Sequence, residues 1–235
     1  MGFFVTYLSF QAAIIDLDGT LIDTLGDFGA ALNLMLADLR LPAVDASDVE
    51  RMVGKGSEHL VRSTLSHVAP TVDAAVREAL FPGALAAYQR HYLAINGRHS
   101  RVYAGVLDGL SALRGAGLSM ACLTNKPLAF AQPLLVQKGL EGFFCHVFGG
   151  DSFERKKPDP LPLLKTCEAL GTAPARTLMV GDSSNDAQAA RAAGCPVVLV
   201  TYGYNHGVPA RGVDADGHLD SLADLPAWCA GPHAA

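Results

Sequence analysis

Four short stretches of this sequence hold groups whose types and spacing suit chemistry. The first is Asp16-Leu17-Asp18-Gly19-Thr20, two carboxylates one residue apart followed by a glycine and a hydroxyl. The second is Thr124-Asn125-Lys126-Pro127 and the third is Lys156-Lys157-Pro158-Asp159-Pro160. The fourth, Gly181-Asp182-Ser183-Ser184-Asn185-Asp186, carries two more acids. Asp16 and Asp18 have no Lys or Arg beside them in sequence, so the pair calls for a cation. Hard carboxylate oxygens suit magnesium. A simpler explanation is a turn, since Asp-Gly commonly closes hairpins. An EF-hand loop starting at Asp16 fails, because its sixth position must be Gly and is Leu21, and its twelfth must be Glu and is Asp27.

The inventory fits phosphoryl transfer. A carboxylate can attack phosphorus and form an aspartyl-phosphate. A second acid can protonate the leaving oxygen and then take a proton from water. A hydroxyl and backbone N–H groups can hold the phosphoryl oxygens, while a lysine and a magnesium ion offset their charge. No step needs a histidine, and the eight histidines, which show no metal-ligand spacing, read as surface or core residues.

These groups need elements to position them. Ala12 to Ile15 is a short apolar run of the kind that forms a buried parallel strand. Further strands are expected at Leu118–Leu123, Phe144–Phe148, Thr177–Val180 and Pro196–Val200, with helices at 106–114, from Pro127, up to about Leu170 and from Ser183 to Ala193. Strand and helix alternating in this way make a parallel sheet with helices on both faces. Each polar cluster then falls at or beyond the C-terminal end of a strand, where open α/β sheets place their ligands. Alone, Thr-Asn is a helix cap, Lys-Pro a solvated loop and Gly-Asp-Ser a turn. Four such clusters meeting on one edge argue for a site.

The stretch between the first strand and Tyr103 has a different texture. Leu25, Phe28, Leu32, Met35 and Leu39 recur at helical steps, with Asp23 or Thr24 as N-cap. Short helices follow at Ala46–Met52 and from Ser57 to about Ser66, and Thr71 caps a long one that ends at Asn96-Gly97. No strand is expected from 22 to 100. The fold class is therefore α/β, a Rossmann-like parallel sheet with a small all-helical cap inserted after the first strand. Residues 1–21 and 101–235 form the core, and 22–100 the cap.

At 235 residues with half of them hydrophobic, the chain can bury a sizeable core. A net charge of −5 without a basic stripe argues against nucleic acid as a partner. The five cysteines are scattered and odd in number, with no Cys-x-x-Cys, which fits reduced thiols in the cytoplasm rather than disulfides or zinc. The apolar opening, Met1 to Phe10, lacks a signal peptide's charged start and is too short to span a bilayer, so no membrane partner is expected. The tail after Trp228 is expected to fray. Composition leaves the oligomeric state open.

Taken with their order, the four clusters resemble the motifs of the haloacid dehalogenase superfamily over nearly the whole chain. Asp-x-Asp-Gly-Thr matches Asp16 to Thr20, the strand-ending hydroxyl matches Thr124, the lysine matches Lys157, and Gly-Asp-x-x-x-Asp matches Gly181 to Asp186. The resemblance implies Asp16 as nucleophile and Asp18 as acid/base. It implies magnesium held by the Asp16 side chain, the Asp18 backbone carbonyl and Asp182, with Asp186 supporting metal and lysine. Gly19, Thr124, Asn125 and Lys157 would bind phosphate. Within the family, Thr124 to Pro127, Gly149-Gly150-Asp151, Lys157-Pro158 and Thr201 to Asn205 resemble phosphoglycolate phosphatases. Many relatives carry Pro before the glycine of Tyr103-Ala104-Gly105, a departure at the hinge. The substrate expected is a small phosphorylated metabolite, 2-phosphoglycolate first. The alternatives are a phosphosugar phosphatase, a mutase of the β-phosphoglucomutase kind and, more remotely, a phosphoacceptor signalling module. In the cap, Gly54-Lys55-Gly56 reads either as a solvated turn or as a loop that meets the carboxylate of the substrate.

Overall fold

The computed structural model describes residues 10–231, so the reading of the apolar N-terminus, and that of the last four residues of the tail, lie outside the described residues. Six parallel strands form the main sheet: β1 Ala12–Ile15, β4 Ser119–Leu123, β5 His146–Phe148, β6 Thr177–Gly181, β7 Val197–Val200 and β8 Gly217–Leu219, in the order β5-β4-β1-β6-β7-β8. β1 lies at the centre, paired in parallel with β4 on one side and β6 on the other. All four of its residues are buried. Side chains alternate across the sheet as strand geometry requires. Ala13, Ile15, Leu178, Val180, Val198 and Val200 face one layer. Ile14, Met179, Val197 and Leu199 face the other.

Helices cover both faces. α5 Val106–Gly115, α6 Leu128–Gln137 and α9 Leu225–Cys229 pack on the first through Leu110, Leu113, Leu134 and Leu225. α7 Leu161–Leu170 and α8 Ser184–Ala193 pack on the second through Leu163, Cys167 and a row of small residues, Ala187, Ala189 and Ala190. The small side chains let α8 lie close to the sheet.

The remaining helices, α1 Leu25–Asp38, α2 Ala46–Met52, α3 Ser57–Val68 and α4 Ala74–Ile95, bury their apolar faces mainly on one another. Phe130 and Tyr204 join that cluster from the sheet-bearing part. The chain leaves and returns side by side, because β2 Ile22–Asp23 pairs antiparallel with β3 Arg101–Val102. Asp27 fastens this junction: wholly buried, it accepts from the backbone N–H of Gly97 and His99 at 2.7 Å each and from the Ser100 hydroxyl.

Several local expectations change. β2 lies in the stretch expected to hold no strand, and β8 was missed; at two and three residues, both are too short for hydrophobic alternation to show. α4 is capped by Asp73, which accepts from the N–H of Ala75, and not by Thr71. Gly56, at φ 87°, stands at the N-cap of α3 in place of Ser57. Thr24 occupies the N-cap of α1, but its hydroxyl donates to Asp18 at 2.9 Å instead of capping. Ser183 is the N-cap of α8 as expected, in a capping box with Asp186. Among the described residues no helix is long and apolar enough to cross a membrane.

Candidate active site

The register of the sheet brings the clusters together. Ile15 pairs with Cys122 and with Val180, so Asp16, Thr124 and Asp182 leave the same edge from three adjacent strands. Lys157 comes from the loop between β5 and α7, and its buried Nζ donates to the carbonyl of Leu123 at 2.9 Å and to Asp186 Oδ1 at 2.7 Å. The same ammonium lies 2.9 Å from Asp16 Oδ1. That is an ion-pair distance, yet Asp16 Oδ1 receives no aligned hydrogen bond from any protein group.

Asp182 is fixed from two sides. Its Oδ1 accepts from the Thr20 hydroxyl at 3.2 Å and its Oδ2 from the N–H of Tyr204 at 2.5 Å. Asp186 Oδ2 accepts from the Ser183 hydroxyl at 2.9 Å and from the backbone N–H groups of Asp182 and Ser183. Glycine is demanded at Gly19, where φ is +85° and a Cβ would stand 2.2 Å from Asp182 Oδ2.

Burial sets the charge state. Asp16 is pushed up to about 7, chiefly by burial; Lys157 opposes the shift and Asp186 adds to it. Asp182 is raised well above the carboxylate range by burial and by the neighbouring Asp186 and Asp16 charges. For Lys157, burial pulls down, but Asp16 and Asp186 outweigh it and the ammonium is held above its ordinary value.

Oxygen atoms of Asp16, Asp182 and Asp186 lie within 4.8 Å of one another, all buried. Across the site four carboxylates face two ammonium groups, Lys157 on Asp16 and Lys126 on Asp18. Two negative charges are left over if all the acids ionise. A low-dielectric site does not keep such an excess uncompensated. The all-oxygen donor set and the surplus of acids therefore fit a hard divalent cation. The sequence argument for a cation, that no Lys or Arg lies beside the two aspartates, needs revising. Each aspartate has a lysine partner supplied by a distant loop, and the case for the ion rests on the surplus of acids.

Beside this cluster lies a partly open cavity of about 40 Å³. Asp16, Asp18, Thr124, Asn125, Lys126 and Asp182 wall it from below, and Phe28, Val53, Leu60, Tyr88 and Tyr92 from above. The loop before α3 is docked on the floor: Gly54 O accepts from Asn125 Nδ2 at 3.0 Å and Asn185 Nδ2 at 3.2 Å. Asn125 Nδ2 also donates to Lys157 O at 2.8 Å, so its amide braces loop to loop. Gly54 and Gly56 line the cavity, whereas Lys55 is exposed and outside the lining.

Sequence reasoning quoted Lys126, Thr20 and Tyr204 only as members of motifs, with no role of their own, and read Thr24 only as a candidate helix cap. Lys126 was findable, since it stands two residues beyond Thr124 on the functional edge. Tyr204 was not, because its hydroxyl reaches Asp23 Oδ1 and the N–H of Thr24, both at 2.7 Å, across most of the chain length.

Comparison with known proteins follows the same lines. A family model for haloacid dehalogenase-like hydrolases matches residues 10–194. The phosphoglycolate phosphatase of Thiobacillus denitrificans is 46% identical over 217 residues, covering 92% of this chain and 94% of that protein. A plasmid-borne phosphoglycolate phosphatase of Cupriavidus necator is 47% identical over 219 residues, covering 92% and 91%. Among solved structures, a predicted phosphoglycolate phosphatase from Haemophilus somnus superposes with a TM-score of 0.87 at 33% identity, over 92% of this chain and 96% of that one.

Proposed function

The chain belongs to the haloacid dehalogenase-like hydrolases, and from that premise we propose that it hydrolyses 2-phosphoglycolate to glycolate and phosphate with magnesium at the Asp16–Asp182–Asp186 cluster. The observation that carries this reading is that Asp16 and Asp18 line one small cavity roofed by apolar helix residues. Much of the wall facing the carboxylates, Phe28, Val53, Leu60 and Phe130, has no side-chain hydrogen-bonding group for the hydroxyls of a sugar ring. Curated relatives named phosphoglycolate phosphatase, matched over nine-tenths of the chain, support the same substrate.

Asp16 is the nucleophile in this scheme. Asp16 lines the cavity, and attack of its carboxylate on phosphorus, with the ester P–O bond breaking, yields an aspartyl-phosphate. Asp18 sits on the cavity wall with its carboxylate oriented by the Thr24 hydroxyl. There it protonates the leaving alkoxide and then takes a proton from the attacking water. Thr124 lines the cavity where the phosphoryl oxygens would lie, while Lys157, outside the lining, holds Asp16 and Asp186 from behind. Asp182 and the Asp18 backbone carbonyl would complete the ligand set, with Asp186, whose oxygens are taken by Lys157, Ser183 and backbone N–H groups, supporting it from behind; magnesium, when bound, would offset charge on the transferring group. The helices overhead and the docked Gly54 loop keep bulk water from the intermediate. A cytoplasmic setting fits the five unpaired thiols.

The test is product analysis with purified protein and magnesium over a panel of phosphomonoesters. Release of phosphate and glycolate from 2-phosphoglycolate, faster than from sugar phosphates, is the expected result. An isomerised sugar phosphate without free phosphate would instead establish a mutase, and no turnover of any ester would overturn the reading.

A further inference from the structure

Among the described residues lining the cavity, one carries a positive charge, and that is Lys126. Its side chain is 2% exposed, and its Nζ lies 2.9 and 3.2 Å from the two oxygens of Asp18. The ammonium also sits over two aromatic faces, 4.4 Å from the centroid of Phe28 and 4.7 Å from that of Tyr92. Lys126 leaves the sheet edge after β4, while Phe28 and Tyr92 belong to α1 and α4. The cation is thus supplied by the sheet-bearing part, and its cage by the helices above.

Burying an ammonium is costly unless something requires it there. Orienting Asp18 is not reason enough, since the Thr24 hydroxyl already donates to Asp18 Oδ1 at 2.9 Å. We propose that Lys126 is the specificity residue, receiving a carboxylate on the carbon next to the phosphate ester. The proposal rests on the phosphatase reading of this site. If the ester oxygen meets Asp18, a carboxylate two bonds further on falls within reach of an ammonium that is itself in hydrogen-bond contact with Asp18. A substrate without that charge leaves Lys126 facing Phe28, Tyr92 and Phe130, with nothing new to pair with. The sequence left Lys55 between a solvated turn and a contact to the carboxylate, and its side chain is exposed.

The experiment compares kcat/KM for 2-phosphoglycolate and for 2-hydroxyethyl phosphate, which has a CH2OH in place of the carboxylate. The wild type is expected to prefer the acid by roughly 10- to 150-fold, the worth of one charge-assisted hydrogen bond in a closed site. In Lys126→Met the preference should collapse toward one, mainly through KM for the acid, whatever happens to the overall rate. An equal loss on both substrates overturns the proposal and leaves Lys126 as a positioning residue for Asp18. A wild type that turns over both esters without preference also overturns it, with the phosphatase reading intact. A wild type that hydrolyses neither overturns the underlying reading as well. Lys126→Gln gives a second variant, and if neither folds the wild-type ratio decides, a preference under about threefold sinking the proposal.

Discussion

Replacing Asp16 by Asn should abolish turnover and, without divalent cations, make the protein more stable at alkaline pH. Folded Asp16 holds its proton up to about pH 7, against 3.8 for an ordinary aspartate, because it is buried and stands beside Asp186. The folded state therefore binds this proton more tightly than the unfolded state does. The stability it contributes is fully present below about pH 4 and is lost as pH rises through about 7. Three pH units at 1.36 kcal/mol each give a penalty of about 4 kcal/mol at pH 8.5. Asn has the same shape and no charge, so it escapes the penalty. Lys157 is not orphaned by the change, since it keeps Asp186 at 2.7 Å and the Leu123 carbonyl. Asp182, raised chiefly by burial, is present in both proteins, and losing the Asp16 charge that adds to its shift works in the same direction, in favour of the variant at alkaline pH. Thermal unfolding in chelator at pH 5 and 8.5 measures the difference. At 2–4 °C per kcal/mol for a chain of this size, Asp16→Asn should melt roughly 8–16 °C above wild type at pH 8.5 and only about 3–6 °C above it at pH 5, where about 1.6 kcal/mol is lost. Adding magnesium at pH 8.5 should stabilise the wild type more than the variant. A variant that melts at or below wild type at pH 8.5 would refute the reasoning, and one retaining a tenth of the activity would refute the nucleophile.

Other outcomes follow from the same geometry. Asp18→Asn should slow alkyl phosphates by ~10²–10⁴-fold and p-nitrophenyl phosphate much less, because a good leaving group needs no proton; equal losses would remove Asp18 from the acid/base role. Chelation should abolish phosphatase activity, magnesium should restore it, and calcium should inhibit, since calcium prefers more and longer bonds than this cluster offers. Full activity in calcium alone would count against a tight octahedral site. Lys55→Met, at an exposed position outside the cavity lining, should change kcat/KM for 2-phosphoglycolate by less than about threefold, near the ±0.5 kcal/mol usual for surface changes. A loss of 10-fold or more would return the carboxylate to the Gly54–Gly56 loop.

Much of this protein was legible in the linear sequence because the signals are local. Buried strands such as Ala12–Ile15 and Thr177–Gly181 announce themselves by apolar runs that end abruptly in acids. The Ser183–Asp186 capping box is written within four residues. Parallel pairing adds to this: once strands alternate with helices, the ends of β1, β4 and β6 share an edge, and the strand order that sets β1 between β4 and β6 then brings Asp16, Thr124 and Asp182 together. Tertiary structure alone decided what no local pattern encodes. The two-residue ribbon β2–β3 exists because Asp27 and Tyr204 hold the junction together across the chain. Which lysine serves the cavity depends on how α1 and α4 settle over the sheet edge. That packing buries Lys126 against Phe28 and Tyr92 and leaves Lys55, conspicuous between two glycines in sequence, turned to solvent. The number of acids in the site could be counted from the motifs. Their proton affinities could not, because Asp16 is raised by burial and by the charge on Asp186, and both are properties of the assembled interior.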